Sequence, residues 1–386
     1  MTNPSWSAAE LQQLMGRPVR AEITREQRLA FAGKRVLITG AGGSIGSELA
    51  RELAQCRPAA IGLVDHSELG LFDVERELRR RWPDVVVEAM LLDVTRASAI
   101  SRACRHLVPH VVYHAAAYKH VTMAERAPAA ALNANVLGTV EVARAAASVN
   151  ARFVLISSDK AADPKSVMGA TKRLAEIVAL DMASASFRPV VVRFGNVLGS
   201  SGSVLPIMRE CVRSGRPIPL TDPEATRFFM TAGEAVALVL RADLLGANAE
   251  IFWLEMGRPI RMADIATRLM GLEHAAGFAP VPIEIVGLRP GEKRTETLSD
   301  PRLVFERTID RQIRVARQVA TARPQVGRLV TRLRRLVEKA DDVAALTLLS
   351  DVLEGFKPSP QATAHASRRG LRPTTSEPMK RKGRAA

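Results

Sequence analysis

Between Lys34 and Asn196 the chain alternates short, almost continuously apolar runs with longer stretches whose apolar positions recur at helical spacing. The runs RVLIT (35–39), AIGLVD (60–65), VVVEAMLLDV (85–94), HVVYHAA (110–116), ARFVLISS (151–158) and RPVVVRFGN (188–196) predict strands. The stretches between them, such as SIGSELARELAQ and GTVEVARAAASV, predict helices. Strands apolar on both faces and separated by helices specify an α/β fold with a parallel sheet covered on both sides. Ligands of such a sheet are expected beyond the carboxyl ends of its strands.

The segment TGAGGSIG (39–46) sits where the first strand hands over to the first helix. Gly40 is expected to allow the tight turn, Gly43 to let the backbone approach a pyrophosphate, and Gly46 to let helix and strand pack closely. Ser44 and Ile45 open the helix whose N-terminus would face the phosphates. Asp65 with His66 ends the second strand, where a carboxylate holds an adenosine ribose. Asp93 and Val94 end the third strand, near the expected adenine, and Ala115 and Ala116 end the fourth. This is the fingerprint of a Rossmann-like, doubly wound dinucleotide-binding domain. A carboxylate at Asp65, followed by His rather than Arg, repels a 2′-phosphate and favours NAD over NADP.

Beyond Asn196 the pattern loosens into Gly-, Pro- and Ser-rich connections, then a helix near 232–246 and a strand EIFWLEM (250–256). The expected organisation is an N-terminal extension packed on the core (1–30), the NAD-binding domain (31–196) and a smaller substrate-binding domain (197–300). C-terminal helices (301–357) follow, with one or two amphipathic basic helices in 323–350, and then a disordered basic tail (358–386). The tail carries seven Lys or Arg against one Glu in a Pro-, Ser-, Thr- and Ala-rich context, a composition that buries little.

That tail holds much of the net charge of +15. The remainder is mildly basic, which suits an anionic nucleotide better than a nucleic acid. The tail could touch anionic membrane surface weakly. No apolar run is long enough to span a bilayer and no secretory leader is evident at the N-terminus. Cys56, Cys104 and Cys211 are too scattered for a metal motif or disulfide framework, so no metal is expected and the compartment reads as reduced and cytoplasmic.

The sharpest chemical signal is SSDKAADPKSVMGATK (157–172). Where a short-chain dehydrogenase carries Tyr-x-x-x-Lys, this chain has Met168 and Lys172. Its two tyrosines, Tyr113 and Tyr118, have no Lys four positions on. Upstream stand an adjacent acid and base, Asp159 and Lys160, a pairing suited to eliminating water.

TGAGGSIGSEL, DHSE (65–68), AAAYKHVTMAE (115–125), NANVLGT (133–139), VRFGNVLGSSGSVLP (192–206), TRFFMTAGEA (226–235) and GLRPGEK (287–293) accompany it in order. Over roughly 30–300 the chain resembles the UDP-N-acetylglucosamine 4,6-dehydratases of bacterial polysaccharide and glycan biosynthesis, extended short-chain dehydrogenase/reductases. The DHSE turn and the Met are most like the branch that retains configuration at C5. Members of that branch carry a membrane-embedded N-terminal half, so the chain resembles their catalytic half standing alone.

The resemblance implies that NAD oxidises the C4 hydroxyl, Lys160 removes the C5 proton, Asp159 protonates the departing C6 hydroxyl, and the hydride returns to C6. Ser158 would bond the C4 hydroxyl, and Lys172 the nicotinamide ribose. Lys160 must then be partly neutral, which burial and Lys172 are expected to promote. Lys119 would lie near nicotinamide and sugar. Asn196, Arg227 and Arg289 would hold the diphosphate and acetamido oxygens, and Glu292 the uridine ribose. A homo-oligomer paired through the helices after strands four and five is expected. Competing readings are a nucleotide-sugar 4-epimerase on the same scaffold and a non-catalytic NAD-binding partner protein.

Overall fold

In a computed structural model the described residues are 6–19, 22–246, 249–296, 300, 303–318 and 326–370. Six runs become the strands β1 (Arg35–Thr39), β2 (Ala60–Asp65), β3 (Val86–Leu91), β4 (Val111–His114), β5 (Arg152–Ile156) and β6 (Pro189–Arg193). They lie in the order β6-β5-β4-β1-β2-β3, all parallel. The strand order reverses between β1 and β4, so the doubly wound fold opens its crevice at the carboxyl ends of those two strands. The central strands are buried along nearly their whole length, which is why they read as unbroken apolar runs. Helices Ser44–Ala54 and Ala232–Leu245 cover one face, and helices Ala97–Leu107 and Gly138–Ala147 the other.

The expected substrate-binding stretch 197–300 is not one piece. Helix Ala232–Leu245 packs on Ser44–Ala54, and Glu250–Leu254 pairs in parallel with β6, so both belong to the main sheet unit. An apolar helix followed by the run IFWL has too much surface to bury for a small lobe. The second lobe is built from helices Val204–Arg213 and Met262–Ala275 and short strand pairs, including Thr226–Arg227 with Ile260–Arg261. The N-terminal helix Ala8–Met15 packs against this lobe, with Leu14 and Met15 buried in its core. Arg17 ties it to Glu234 at 2.6 Å and to the Phe229 carbonyl at 3.0 Å.

Two C-terminal expectations are corrected. The stretch assigned to helices from 301 begins instead with strands Leu303–Arg307 and Ile313–Gln318, an antiparallel pair that extends the main sheet beside Glu250–Leu254. Leu303, Ile313, Val315 and Ala316 are buried, while Phe305 meets Trp253 edge-on. Short runs broken by Glu306, Arg307, Arg314 and Arg317, without a clean period of two, hid the strands. Helices Val326–Glu338 and Asp342–Val352 follow.

The first part of the supposed tail is a helix, Pro360–Gly370. Ala362 and Ala366 lie on one face, buried, and Ser359 caps it by accepting from the Ala362 amide at 3.0 Å. Residues 371–386 of that tail lie outside the described residues. These C-terminal helices cover the apolar face of helix Val167–Asp181, including Val167, Ala170, Leu174 and Val178. Among the described residues no helix is long and apolar enough to cross a membrane.

Candidate active site

β1 hands over to helix Ser44–Ala54 through a turn that only glycine fits. Gly40 has φ +70°, and a Cβ there would lie 2.6 Å from the Ala116 amide nitrogen. A Cβ on Gly46 would lie 2.0 Å from the Gly40 carbonyl oxygen. Gly43 caps the helix without a side chain, which leaves its first amides and the positive end of its dipole facing outward. Ser44 accepts a hydrogen bond from the Ser201 amide at 3.0 Å, so a loop of the second lobe closes over this N-terminus.

Asp65 is buried and accepts from the Gly42 amide at 2.8 Å and the Ser67 amide at 2.9 Å, which fixes its carboxylate at the edge of the crevice. His66 is exposed, with Nδ1 3.4 Å from Asp65. Asp93 turns back to accept from the amide and hydroxyl of Thr95, and Val94 is buried. Ala115 and Ala116 pack their backbone against Gly40. A side-chain-free cradle, an uncapped helix end and a fixed carboxylate fit a dinucleotide.

β5 ends in a single 3₁₀ turn, Asp159–Ala161, capped by Ser158. This turn sets the acid–base cluster. Lys160 Nζ lies 3.0 Å from Asp159 Oδ1, 3.0 Å from Asn196 Oδ1 and 3.5 Å from Glu296 Oε1. The Ser158 hydroxyl donates to Asp159 Oδ1 at 2.9 Å. Arg227 Nε lies 3.8 Å from Glu296 Oε1. The Asp159 carboxylate is fully buried, and among the described residues Oδ2 has no hydrogen-bond partner. Gly195 leaves room beside it, since a Cβ there would come within 3.2 Å of Oδ2. A buried acceptor left unpaired costs about 1–3 kcal/mol, a cost relieved when a bound hydroxyl or a proton meets it.

The expectation of a partly neutral Lys160 is corrected. Burial pulls its pKa down most strongly, but the charges of Asp159 and Glu296 outweigh burial and hold the amine above its ordinary value, as a cation. Lys172 exerts its influence elsewhere. Its amine donates to the Ile156 carbonyl at 2.6 Å, and burial pushes its pKa down to about 8 against a partial offset from Glu176. His114, buried beside it, is pushed down to about 3 by desolvation and by the Lys172 charge. This neutral ring sits between the hydroxyls of Thr39 and Thr139. Met168 is buried among apolar side chains and offers no titrating proton.

Other expected residues fall outside the cluster. Arg289 is exposed, on a tight turn where Glu292 accepts from the Arg289 amide at 3.2 Å. Lys293 anchors this turn to Asp163. Lys119 lies on the loop after β4, its pKa lowered by desolvation.

Sequence reading missed three residues that organise the site. Glu296 lies just beyond the GLRPGEK motif, between Glu292 and Asp300, and nothing in the local sequence singles it out from them. Asn135 sits in a π-helical turn, Asn133–Leu137. Its amide accepts from the Tyr118 amide at 2.7 Å and donates to the Tyr118 carbonyl and to Thr171, so it joins the Lys119 loop to the Lys172 helix. Glu125, buried, accepts from the Val167 amide at 2.7 Å and from the Ser359 hydroxyl at 2.6 Å, so it caps the same helix and holds the C-terminal one.

Residues 36–317 match the family model described as polysaccharide biosynthesis protein. The chain belongs to this family. It is 41% identical over 332 residues to the probable polysaccharide biosynthesis protein EpsC of Bacillus subtilis, covering 85% of this chain and 55% of that protein. It is 41% identical over 310 residues to the capsular polysaccharide biosynthesis protein CapD of Staphylococcus aureus, covering 77% and 51%. The chain thus spans about half the length of these curated relatives. Among solved structures, Pen from Bacillus thuringiensis superposes with a TM-score of 0.68 at 29% identity, over 75% of this chain and 89% of Pen. The family match takes in the glycine cradle and the whole acid–base cluster, and it stops before the C-terminal helices.

Proposed function

We propose that this chain is an NAD-dependent nucleotide-sugar 4,6-dehydratase that converts UDP-N-acetylglucosamine to a UDP-4-keto-6-deoxy-N-acetylhexosamine. The observation that carries the reading is the contact of Asp159 with Lys160 at 3.0 Å, in a site whose usual phenol is replaced by Met168.

Elimination across C5 and C6 needs a base for the C5 proton and an acid for the C6 hydroxyl. An ammonium beside a carboxylate holds the same number of protons as a neutral amine beside a carboxylic acid. Moving one proton across the Asp159–Lys160 contact therefore creates both catalysts. Desolvation by a bound sugar favours that neutral pair, because two buried charges lose their water. Lys160 then takes the C5 proton and Asp159 gives its own to the departing hydroxyl. The pair returns to the ion pair described here. When the hydride returns to C6, C5 regains a proton from the solvent-exchanging Lys160 ammonium, and the proton lost from the C4 hydroxyl on oxidation makes up the balance. Asn196 holds the amine in place, and Ser158 stands beside Asp159 to bond the C4 hydroxyl. Positioned acid–base groups of this kind contribute roughly 10²–10⁴-fold each.

The glycine cradle, Ser44, Ile45 and Asp65 would hold the dinucleotide, and Lys172 its ribose. When bound, it supplies reversible hydride transfer, which no side chain can. The Asp65 carboxylate favours NAD by repelling a 2′-phosphate. Arg227 would bond the diphosphate as a planar fork, and Arg289 and Glu292 the uridine end.

The test is to incubate the purified protein with UDP-N-acetylglucosamine and no added reductant. The expected product is lighter by one water. An isomer of unchanged mass indicates a 4-epimerase instead, and no conversion across several nucleotide-sugars contradicts both.

A further inference from the structure

Glu296 reaches the acid–base cluster from a part of the chain far from β5. The backbone sets it there: the Thr226 amide donates to the Arg294 carbonyl at 2.9 Å, Thr226 and Thr295 form a bridge, and Arg227 donates to the same Arg294 carbonyl at 3.0 Å. The carboxylate that follows is buried, with Oε1 shared between Lys160 at 3.5 Å and Arg227 at 3.8 Å.

The charged groups facing the Lys160 amine are Asp159 on its own turn, Glu296 on the 294–296 segment and Arg227 on strand Thr226–Arg227; Asn196 and Ser158 are neutral. In the elimination derived above, Asp159 carries a proton when Lys160 begins to take one from the sugar. At that moment Asp159 is uncharged. Among the described residues Glu296 is then the anion left beside the growing ammonium.

We infer that Glu296 is a positioning residue that orients the Lys160 amine and stabilises the positive charge the amine gains on taking the C5 proton. This inference rests on the dehydratase reading. A carboxylate behind a base does the same work wherever a neutral base becomes a cation during the reaction. Because Oε1 is shared with Arg227, the residue also fixes the distance between a guanidinium suited to phosphate and the base.

The test has two arms on the full chain. In the first, without substrate, amines are labelled with trace acetic anhydride at about pH 8, and Lys160 labelling is measured by peptide mapping. Glu296→Gln removes a charge that keeps the amine protonated, so labelling should rise severalfold, at about tenfold per unit of pKa change. In the second, the pH dependence of dehydration is measured. Glu296→Gln should lower kcat by roughly 10²–10³-fold with little change in KM, and move the acidic limb to lower pH. Glu296→Asp should recover part of both effects, and it carries the labelling comparison should the Gln variant fail to fold. Unchanged labelling together with an unmoved acidic limb overturns the inference, as does a loss confined to KM. If the wild-type chain forms no dehydrated product, the dehydratase reading fails; labelling then decides alone whether Glu296 governs the amine, and unchanged labelling overturns the inference.

Discussion

Asp159 and Lys160 are neighbours in sequence, yet their side chains meet at 3.0 Å. Consecutive residues of a strand point to opposite faces. The 3₁₀ turn that ends β5 removes that alternation and aims both groups into one site, where Asn196 and Glu296 receive the amine. Acid and base are thus set by one turn of backbone.

Separate roles for the pair predict separate losses. Lys160→Ala should abolish exchange of the C5 hydrogen with solvent and lower turnover by roughly 10²–10⁴-fold, while the dinucleotide stays bound. Asp159→Asn removes a charge that holds the Lys160 amine protonated, so the amine can lose its proton to solvent; this variant should retain C5 exchange and lose expulsion of the C6 hydroxyl. Proton NMR of the sugar in deuterated buffer distinguishes them. Equal loss of exchange in both variants would show that the two groups do not divide the work.

The glycine cradle predicts a binding defect. Gly46→Ala places a methyl 2.0 Å from the Gly40 carbonyl, closer than any backbone can tolerate. The helix must shift away from β1, and the anion site at its N-terminus moves with it. Dinucleotide affinity, measured by calorimetry, should fall by at least about tenfold.

Lys172 ties stability to pH. Its pKa is about 8 in the folded chain and 10.5 ordinarily, so between those values the unfolded chain binds the extra proton. Stability attributable to this group therefore rises as pH climbs from about 8 to 10.5. Below that window the full cost of burying the charge applies. The stability difference between Lys172→Met and the parent chain should narrow by on the order of 3 kcal/mol across the window. Urea denaturation at several pH values measures it.

Glu125 predicts that the C-terminal helices support the active helix. Glu125→Ala leaves the Val167 amide and the Ser359 hydroxyl without their acceptor. The buried Val167 amide orphaned in this way costs about 1–3 kcal/mol, and the half-buried Ser359 hydroxyl less because it can turn to water. A lower urea midpoint is expected, with Lys172 shifted on the loosened helix and turnover reduced in parallel.

The main sheet was legible because β1, β2, β4, β5 and β6 are buried on both faces and read as near-continuous apolar runs, while the half-exposed edge strand β3 still shows a β-branched run despite Glu88. The glycine turn was legible because its constraints are local. The strands Leu303–Arg307 and Ile313–Gln318 were not, since each is short and broken by charged residues, so together they resemble a basic helix. Helix Pro360–Gly370 was hidden for another reason. Two alanines and a capping serine bury enough to dock, while the stretch as a whole has the composition of a linker. The charge on Lys160 is held by Asp159 and, after it, by Glu296, which arrives through a bridge between Thr226 and Thr295, a contact no local pattern announces. The place of Ala232–Leu245 and Glu250–Leu254 in the main sheet unit was likewise a matter of long-range pairing.

The central claim is tested most directly by turning over UDP-N-acetylglucosamine in deuterium oxide without added reductant and weighing the product. The account predicts a nucleotide-sugar lighter by one water that carries one carbon-bound deuterium at C5. A product of unchanged mass, or a dehydrated product with no deuterium at C5, would contradict it.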